Sequence, residues 1–229
     1  MALHEEFLPE PLPADPLALV ADWMVQATRA RVQPNPNAMV LATVAGDGSP
    51  SARVVLCKDI RADAGSVTFY TNYRSRKGAE LDANPRVAAV IYWDALHRQI
   101  RLEGRVTRVT AAESDVYFAS RAWQSRIGAW ASAQSAPIGS RGELVRSAVD
   151  AAQRFGTSSP ISSDATAPDP GIAIPRPAHW GGYHLWVQSV ELWVEGAARL
   201  HDRARWTRAL TGAAGGYQGG PWSATRLQP

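Results

Sequence analysis

Residues 198–203 read ARLHDR, which sets Arg199, His201 and Arg203 at every second position. On an extended strand such residues share one face. Two guanidiniums and an imidazole would then converge on one spot. Cations held that close repel unless an anion or open water stands between them. Trp193, just upstream, adds a flat apolar wall to this basic face.

Further stretches carry similar chemistry. RVVLCK, residues 53–58, places a cation at each end of an apolar strand. It reads either as a core strand with charged ends or as a strand whose ends both touch an anionic ligand. Strict alternation puts Arg53 and Lys58 on opposite faces, so a single ligand would need a bend or an edge to reach both. In FYTNYRSRKG, residues 69–78, Arg74, Arg76 and Lys77 fall at or near a helix start. A helix start is already partly positive, so cations there suit a bound phosphate, or else a solvated basic turn. In residues 117–135, Tyr117, Arg121 and Ser125 recur at a spacing of four. On a helix they form one polar stripe, which fits a phosphate ester or simply faces water. Gln134 and Ser135 follow with amide and hydroxyl donors.

No dinucleotide fingerprint, Walker-type loop or nucleophile elbow is present. The lone cysteine, Cys57, and the scattered histidines lack zinc-ligand spacing, so no metal site is expected. The surplus of phosphate-binding groups fits a phosphorylated cofactor, a phosphorylated substrate, or both.

The elements that must position these residues read as follows. Residues 1–14 are expected to be a flexible arm, and 15–229 a single domain. Asp15 and Pro16 start a helix over 16–31, with Leu19, Trp23, Ala27 and Ala30 at helical spacing. Strands are predicted over 38–44, 52–58, 67–71, 87–92 and 99–109, with a short helix over 75–83. Helices follow over 112–120, around 125–133 and over 141–155. Residues 156–171 form a Ser/Pro/Asp/Ala-rich insert expected to be disordered. Strands over 183–187, 189–194 and 203–208 close the chain, and the Gly-rich stretch 212–220 reads as a loop. The pattern predicts an antiparallel β-barrel with helical additions, mainly β with inserted helices (α+β).

The composition is that of an ordinary globular chain, with 229 residues, 45% hydrophobic and 20% charged. No apolar run approaches the roughly 18 residues of a membrane span. The acidic, Pro-rich start is unlike a signal peptide. A single cysteine suits a cytoplasmic location. The net charge of +3 is dispersed, which argues against nucleic acid as a partner.

Taken together, LPADP, RVVLCK, FYTNYRSRKG, LHRQIRLEGRV, YFASR, QSRIGAWASAQS, HWGGY and RLHDR resemble the pyridoxamine 5′-phosphate oxidase family, from residue 12 to the LQP ending except for the 156–171 insert and the Gly-rich 212–220 loop. The resemblance implies an FMN-binding split β-barrel, antiparallel and Greek-key-like. It also implies a homodimer with FMN at the subunit interface. On that resemblance FMN would be held by Arg53, Val54, Val55, Leu56, Cys57 and Lys58, by Tyr70 and Thr71, and by Arg76 and Lys77. Gln99, Gln134, Ser135, Trp193 and Arg203 would complete its site. A phosphorylated pyridine substrate would meet Lys58, Tyr117, Arg121, Ser125, Arg199 and His201, with Arg199 and His201 as catalytic residues. The implied reaction converts pyridoxamine or pyridoxine 5′-phosphate to pyridoxal 5′-phosphate, with oxygen as acceptor and hydrogen peroxide released.

The chain departs from the family pattern on the substrate side. MALHEEFLPEP contains neither the Arg nor the Tyr that family members often carry there. The usual SRP is SRA, followed by Trp123, and Val194 stands where Gln is common. A related flavin oxidase of phenazine biosynthesis is a second reading. It shares LPADP and the Tyr92-Trp93 pair but lacks the SRIGAW and QS block. A non-catalytic flavin- or pyridoxal-phosphate-binding barrel protein is a third, opposed by the retained Arg199 and His201.

Overall fold

Strands of five to fifteen residues, some with alternating apolar residues and the longest buried along nearly its whole length, form one eight-stranded antiparallel sheet. The structure, a computed structural model, describes residues 7–157 and 171–229. Its strands are β1 (Ala38–Val44), β2 (Pro50–Arg61), β3 (Ser66–Asn72), β4 (Arg86–Trp93), β5 (Arg98–Arg108), β6 (Trp180–Val194), β7 (Asp202–Thr207), β8 (Leu210–Ala213), β9 (Gly216–Gly219) and β10 (Ser223–Leu227). The helices are α1 (Pro16–Ala30), α2 (Arg76–Ala83), α3 (Ala111–Ala119), α4 (Trp123–Ala131) and α5 (Arg141–Arg154).

The main sheet runs β10-β7-β6-β3-β2-β1-β4-β5, and β6 also pairs with β5. That pairing closes six strands into a barrel. The order β4-β1-β2-β3 is a Greek key. The expected split-barrel class is therefore observed. By its internal contacts the chain divides into two compact units, where one domain over 15–229 is expected from sequence. One unit comprises Met1–Phe69, Glu80–Thr107 and Tyr183–Pro229; the other comprises Tyr70–Ala79 and Arg108–Gly182.

In the first unit the barrel interior is filled by buried side chains such as Met39, Leu41, Phe69, Ile91, Ile100 and Leu102. Cys57 is among them, and burial pushes its thiol up to about 12. α1 starts as the sequence predicts, with the Asp15 side chain accepting from the Leu17 N–H at 2.8 Å. It stops one residue early because Arg31 adopts a left-handed conformation, φ 50°. The buried stripe is Leu17, Val20, Trp23 and Ala27.

Part of the expected flexible arm is fastened to this unit. The Leu8 N–H donates to Asp202 at 2.7 Å, and the Trp206 indole donates to the Pro13 carbonyl at 2.8 Å. Arg226 donates to Asp202, to the Leu8 and Pro9 carbonyls and to Glu10. Residues 1–6 lie outside the described residues, as does 158–170 of the expected disordered insert.

Three further expectations are corrected. The predicted strands 183–187 and 189–194 are one strand, β6, because the exposed Gln188 stays in register and its carbonyl accepts from the Arg208 N–H. The Gly-rich stretch is not a plain loop: β8 and β9 form a hairpin around Gly215, whose φ of 79° suits the turn. The ARLHDR stretch is not extended throughout. Ala197–Arg199 is a short 3-10 turn with Ala198 and Arg199 at φ 53° and 64°, and β7 begins only at Asp202. The one-face alternation therefore fails at Arg199 and His201.

In the second unit Phe118, Trp123, Ile127, Ala152, Ile174 and Trp180 form the buried core under α3, α4 and α5. α3 and α5 are N-capped by the hydroxyls of Thr110 and Ser140, which accept from the N–H groups of Glu113 and Glu143.

Barrel closure depends on a side chain that is missing. A Cβ on Gly104 of β5 would fall on the backbone carbonyl of Trp186 in β6. Gly104→Ala is expected to cost about 1–3 kcal/mol, read as a lowered Tm of the full chain in thermal unfolding; an unchanged Tm would refute this account.

Candidate active site

The residues singled out in the sequence fall into two groups, one in each unit. In the barrel unit β2 carries six of them. Val55 and Cys57 are buried, whereas Val54 and Lys58 are exposed. The pairing of β2 with β3 runs Cys57↔Phe69 and then Asp59↔Thr68, so a bulge falls at Lys58. A bulge re-aims its side chain. Lys58 makes no hydrogen bond or ion pair among the described residues. Arg53 is different. Its guanidinium lies 3.1 Å from the buried Glu80 carboxylate and donates to Thr43, Ser51 and the Leu41 carbonyl. Glu80 also accepts from Thr43 and from Ser51. Arg53 is thus engaged by Glu80 and its neighbours, whereas the exposed Lys58 sits at the bulge and is unengaged among the described residues.

β6 and β7 place Trp193 directly opposite Arg203. Arg203 donates through Nε and Nη2 to Glu191, at 3.2 and 2.8 Å, and through Nη1 to the Gln228 carbonyl at 2.9 Å. Glu191 is buried and also takes Arg101 at 3.2 Å. Nothing in the sequence flagged Glu191. His201 lies against Trp193, ring centroids 4.7 Å apart, and its Nδ1 accepts from the Gly196 N–H at 3.2 Å. Arg199 is exposed and has no hydrogen bond or ion pair among the described residues. Gln99 is half-buried on β5, opposite Tyr92.

In the second unit Ser75 caps α2, accepting from the Gly78 N–H at 3.3 Å. Lys77, in the first turn, is buried. Its ammonium donates to Gln134 Oε1 at 2.8 Å, Thr71 Oγ1 at 3.1 Å and Ser75 Oγ at 3.4 Å, all neutral oxygens. Thr71, Lys77 and Gln134 are thus brought together. Ser135 occupies the third position of the turn closed by the Ala136 N–H and the Ala133 carbonyl, at φ 74°. A pocket of about 470 Å³ opens here, lined by Arg74, Arg76, Ser132, Gln134, Ser135 and His179 among others, with no carboxylate among its described lining residues. Such a donor set suits a phosphate.

The same unit stacks Tyr70 on Tyr117, centroids 3.9 Å apart, with Trp180 5.5 Å from Tyr70. Arg121 lies over Trp180 at 4.6 Å. Its Nη1 is buried without a hydrogen-bond partner, and burial lowers its pKa against the opposing influence of Tyr117. A buried guanidinium N–H left without a partner is costly, and an anion would satisfy it. The expected single helical stripe is broken: Tyr117 is on α3, Arg121 in the link that follows, and the exposed Ser125 on α4, because the chain turns between the two helices at 120–122. The HWGGY stretch explains the platform. A Cβ on Gly182 would strike the Tyr70 ring, and one on Gly181 the Tyr73 hydroxyl. Trp180, His179 and Trp130 were not predicted as site residues, although the paired glycines signal a close approach.

The comparisons agree with this geometry. Residues 24–155 match the family model described as pyridoxamine 5′-phosphate oxidase, and residues 180–229 the one described as the pyridoxine 5′-phosphate oxidase C-terminal dimerisation region. A protein of Paracoccus denitrificans named pyridoxine/pyridoxamine 5′-phosphate oxidase is 48% identical over 198 residues, covering 85% of this chain and 82% of the relative. One of the same name from Burkholderia orbicola is 45% identical over 215 residues, covering 94% and 89%. Among solved structures, PhzG from Burkholderia lata in complex with tetrahydrophenazine-1-carboxylic acid superposes with a TM-score of 0.81 at 29% identity, covering 98% of each chain. An FMN-binding, pyridoxamine 5′-phosphate oxidase-related protein from Nostoc punctiforme shares the fold, with a TM-score of 0.67 at 16% identity over 95% of this chain and 100% of the other. By sequence and by fold, the chain belongs to the pyridoxamine 5′-phosphate oxidase family.

Proposed function

We propose that the chain is an FMN-dependent oxidase that converts pyridoxamine or pyridoxine 5′-phosphate to pyridoxal 5′-phosphate, with oxygen as acceptor and hydrogen peroxide released. The observation that carries this reading is the half-buried Arg121, whose buried Nη1 has no hydrogen-bond partner, beside Tyr117 on an aromatic platform. It fits a phosphate ester attached to a flat ring. FMN, when bound, supplies the redox chemistry, taking a hydride from substrate carbon and passing the electrons to oxygen. Arg76, Gln134 and Ser135 would hold its phosphate, supported by a pocket with no carboxylate among its described lining residues, with Lys77 behind them on Gln134 and Thr71. Arg53 to Lys58, Tyr70, Thr71, Gln99, Trp193 and Arg203 would complete the flavin site. Lys58, Tyr117, Arg121 and Ser125 would bind the substrate.

Arg199 would orient the substrate and favour negative charge on it. A guanidinium is a poor base, so its role is electrostatic. The alcohol gives the aldehyde directly, with loss of one proton. The amine gives an imine, which water converts to aldehyde and ammonia.

The same reading makes the protein a homodimer. An apolar row on adjacent strands supports this: Val40 of β1 pairs with Val54 of β2 and with Val90 of β4, and Val40, Val54 and Tyr92 are 42%, 63% and 46% exposed. FMN would lie at the subunit interface. No described helix is long and apolar enough to cross a membrane, and we place the enzyme in the cytoplasm.

The likeness to PhzG favours a second reading, oxidation of a phenazine precursor. Assaying aldehyde and peroxide from both B6 phosphates, beside tetrahydrophenazine-1-carboxylic acid, decides between them. Arg199→Ala is expected to retain FMN and lose most turnover; a fully active variant or an apoprotein would overturn its role. Arg76→Ala is expected to weaken FMN binding at least tenfold, about 1.4 kcal/mol, in a fluorescence titration. Val54→Asp is expected to shift the protein towards monomer and release FMN, read by light scattering and flavin absorbance.

A further inference from the structure

His201 is held in a single tautomer by the backbone beneath it. The Gly196 N–H donates to Nδ1 at 3.2 Å, and Trp193 lies against the ring. A backbone amide can only donate. Nδ1 is therefore the acceptor, and in the neutral ring the proton is on Nε2. Nε2 makes no hydrogen bond among the described residues.

This contact depends on Gly196 having no side chain, since a Cβ there would fall on the Leu200 carbonyl. The intervening turn is wound tightly. Leu200 N–H donates to the Ala197 carbonyl at 2.9 Å, and Ala198 and Arg199 both take the left-handed backbone that L-residues avoid. The start of the loop is tied down as well, Glu195 N–H donating to the His97 carbonyl at 2.9 Å.

We infer that His201 acts on the substrate as a hydrogen-bond donor through Nε2–H and not as a base, and that Gly196 is the positioning residue that sets this tautomer. The donor role rests on the pyridine-phosphate reading of the site; the tautomer rests on geometry alone. The substrate group it meets is an acceptor, an oxygen or an anionic centre. Arg199 is also a pure donor. Neither His201 nor Arg199 is then a proton acceptor, and the proton lost from the alcohol or amine passes to water.

The test uses the full chain with FMN added and its histidines labelled with 15N, at about pH 8, above the ordinary imidazole range. Long-range proton–nitrogen spectra report the tautomer, and the signals lost in His201→Gln identify His201. A bare Nδ1 with a protonated Nε2 is expected. The reverse pattern, or averaged tautomers, would overturn the assignment. Binding of pyridoxal 5′-phosphate then tests the role. Gln places its amide N–H near the Nε2 position and Asn places its own near Nδ1. His201→Asn is expected to bind at least tenfold more weakly than His201→Gln, and equal losses would overturn the donor role. A wild-type chain that does not bind the ligand would overturn that role together with the site reading, while the spectrum still decides the tautomer.

Discussion

β5 and β6 can pair only because no side chain stands between them at Gly104, where a Cβ would occupy the position of the Trp186 carbonyl. Without that approach the sheet would keep two open edges. With it, β6 is hydrogen-bonded to β3, β5 and β7, and a fifteen-residue strand becomes the most connected element of the fold. Trp193, Glu191 and the loop carrying Arg199 are all placed by that strand and its continuation. The geometry of the candidate site in the barrel unit is thus inherited from closure of the barrel.

Within this frame the cations are sorted into two kinds. Arg53 and Arg203 are fixed by the buried carboxylates Glu80 and Glu191. Such pairs contribute little net stability, because desolvation offsets their attraction. They do fix the guanidinium geometry. Lys58, Arg199 and the buried Nη1 of Arg121 have no such partner among the described residues. Water meets the exposed Lys58 and Arg199, whereas the buried Nη1 carries a desolvation cost that an anion would remove. The engaged cations shape the site and the unengaged ones are available to an anion.

Local pattern made much of this legible. Asp15-Pro16 marks the start of α1, and β1 falls where alternating residues 38–44 put it. Spacing also singled out Tyr117 and Arg121, although α3 ends at Ala119 and Arg121 lies in the link before α4. What it missed depends on contacts distant in sequence. The strand premise for ARLHDR failed because a 3-10 turn with two left-handed residues interrupts the alternation. Glu191 looked like any polar strand residue, since its partners Arg101 and Arg203 come from two other strands. β10 carries almost no buried face and so no periodic signal. Its place comes from pairing with β7. Trp180 was visible within HWGGY, but its stacking with Tyr70 and Arg121 was not.

The clasp formed by Arg226 around Leu8, Pro9 and Glu10 has a consequence in time. These groups are separated by up to 218 positions along the chain. During synthesis the early segment emerges first, yet its anchor on β10 is made only after nearly everything else. Asp202, which both partners share, also arrives late. The buried Leu8 therefore has no complete seat until the barrel behind it exists, and its docking belongs among the last events of folding. A nascent chain carries this apolar residue uncovered for most of its translation.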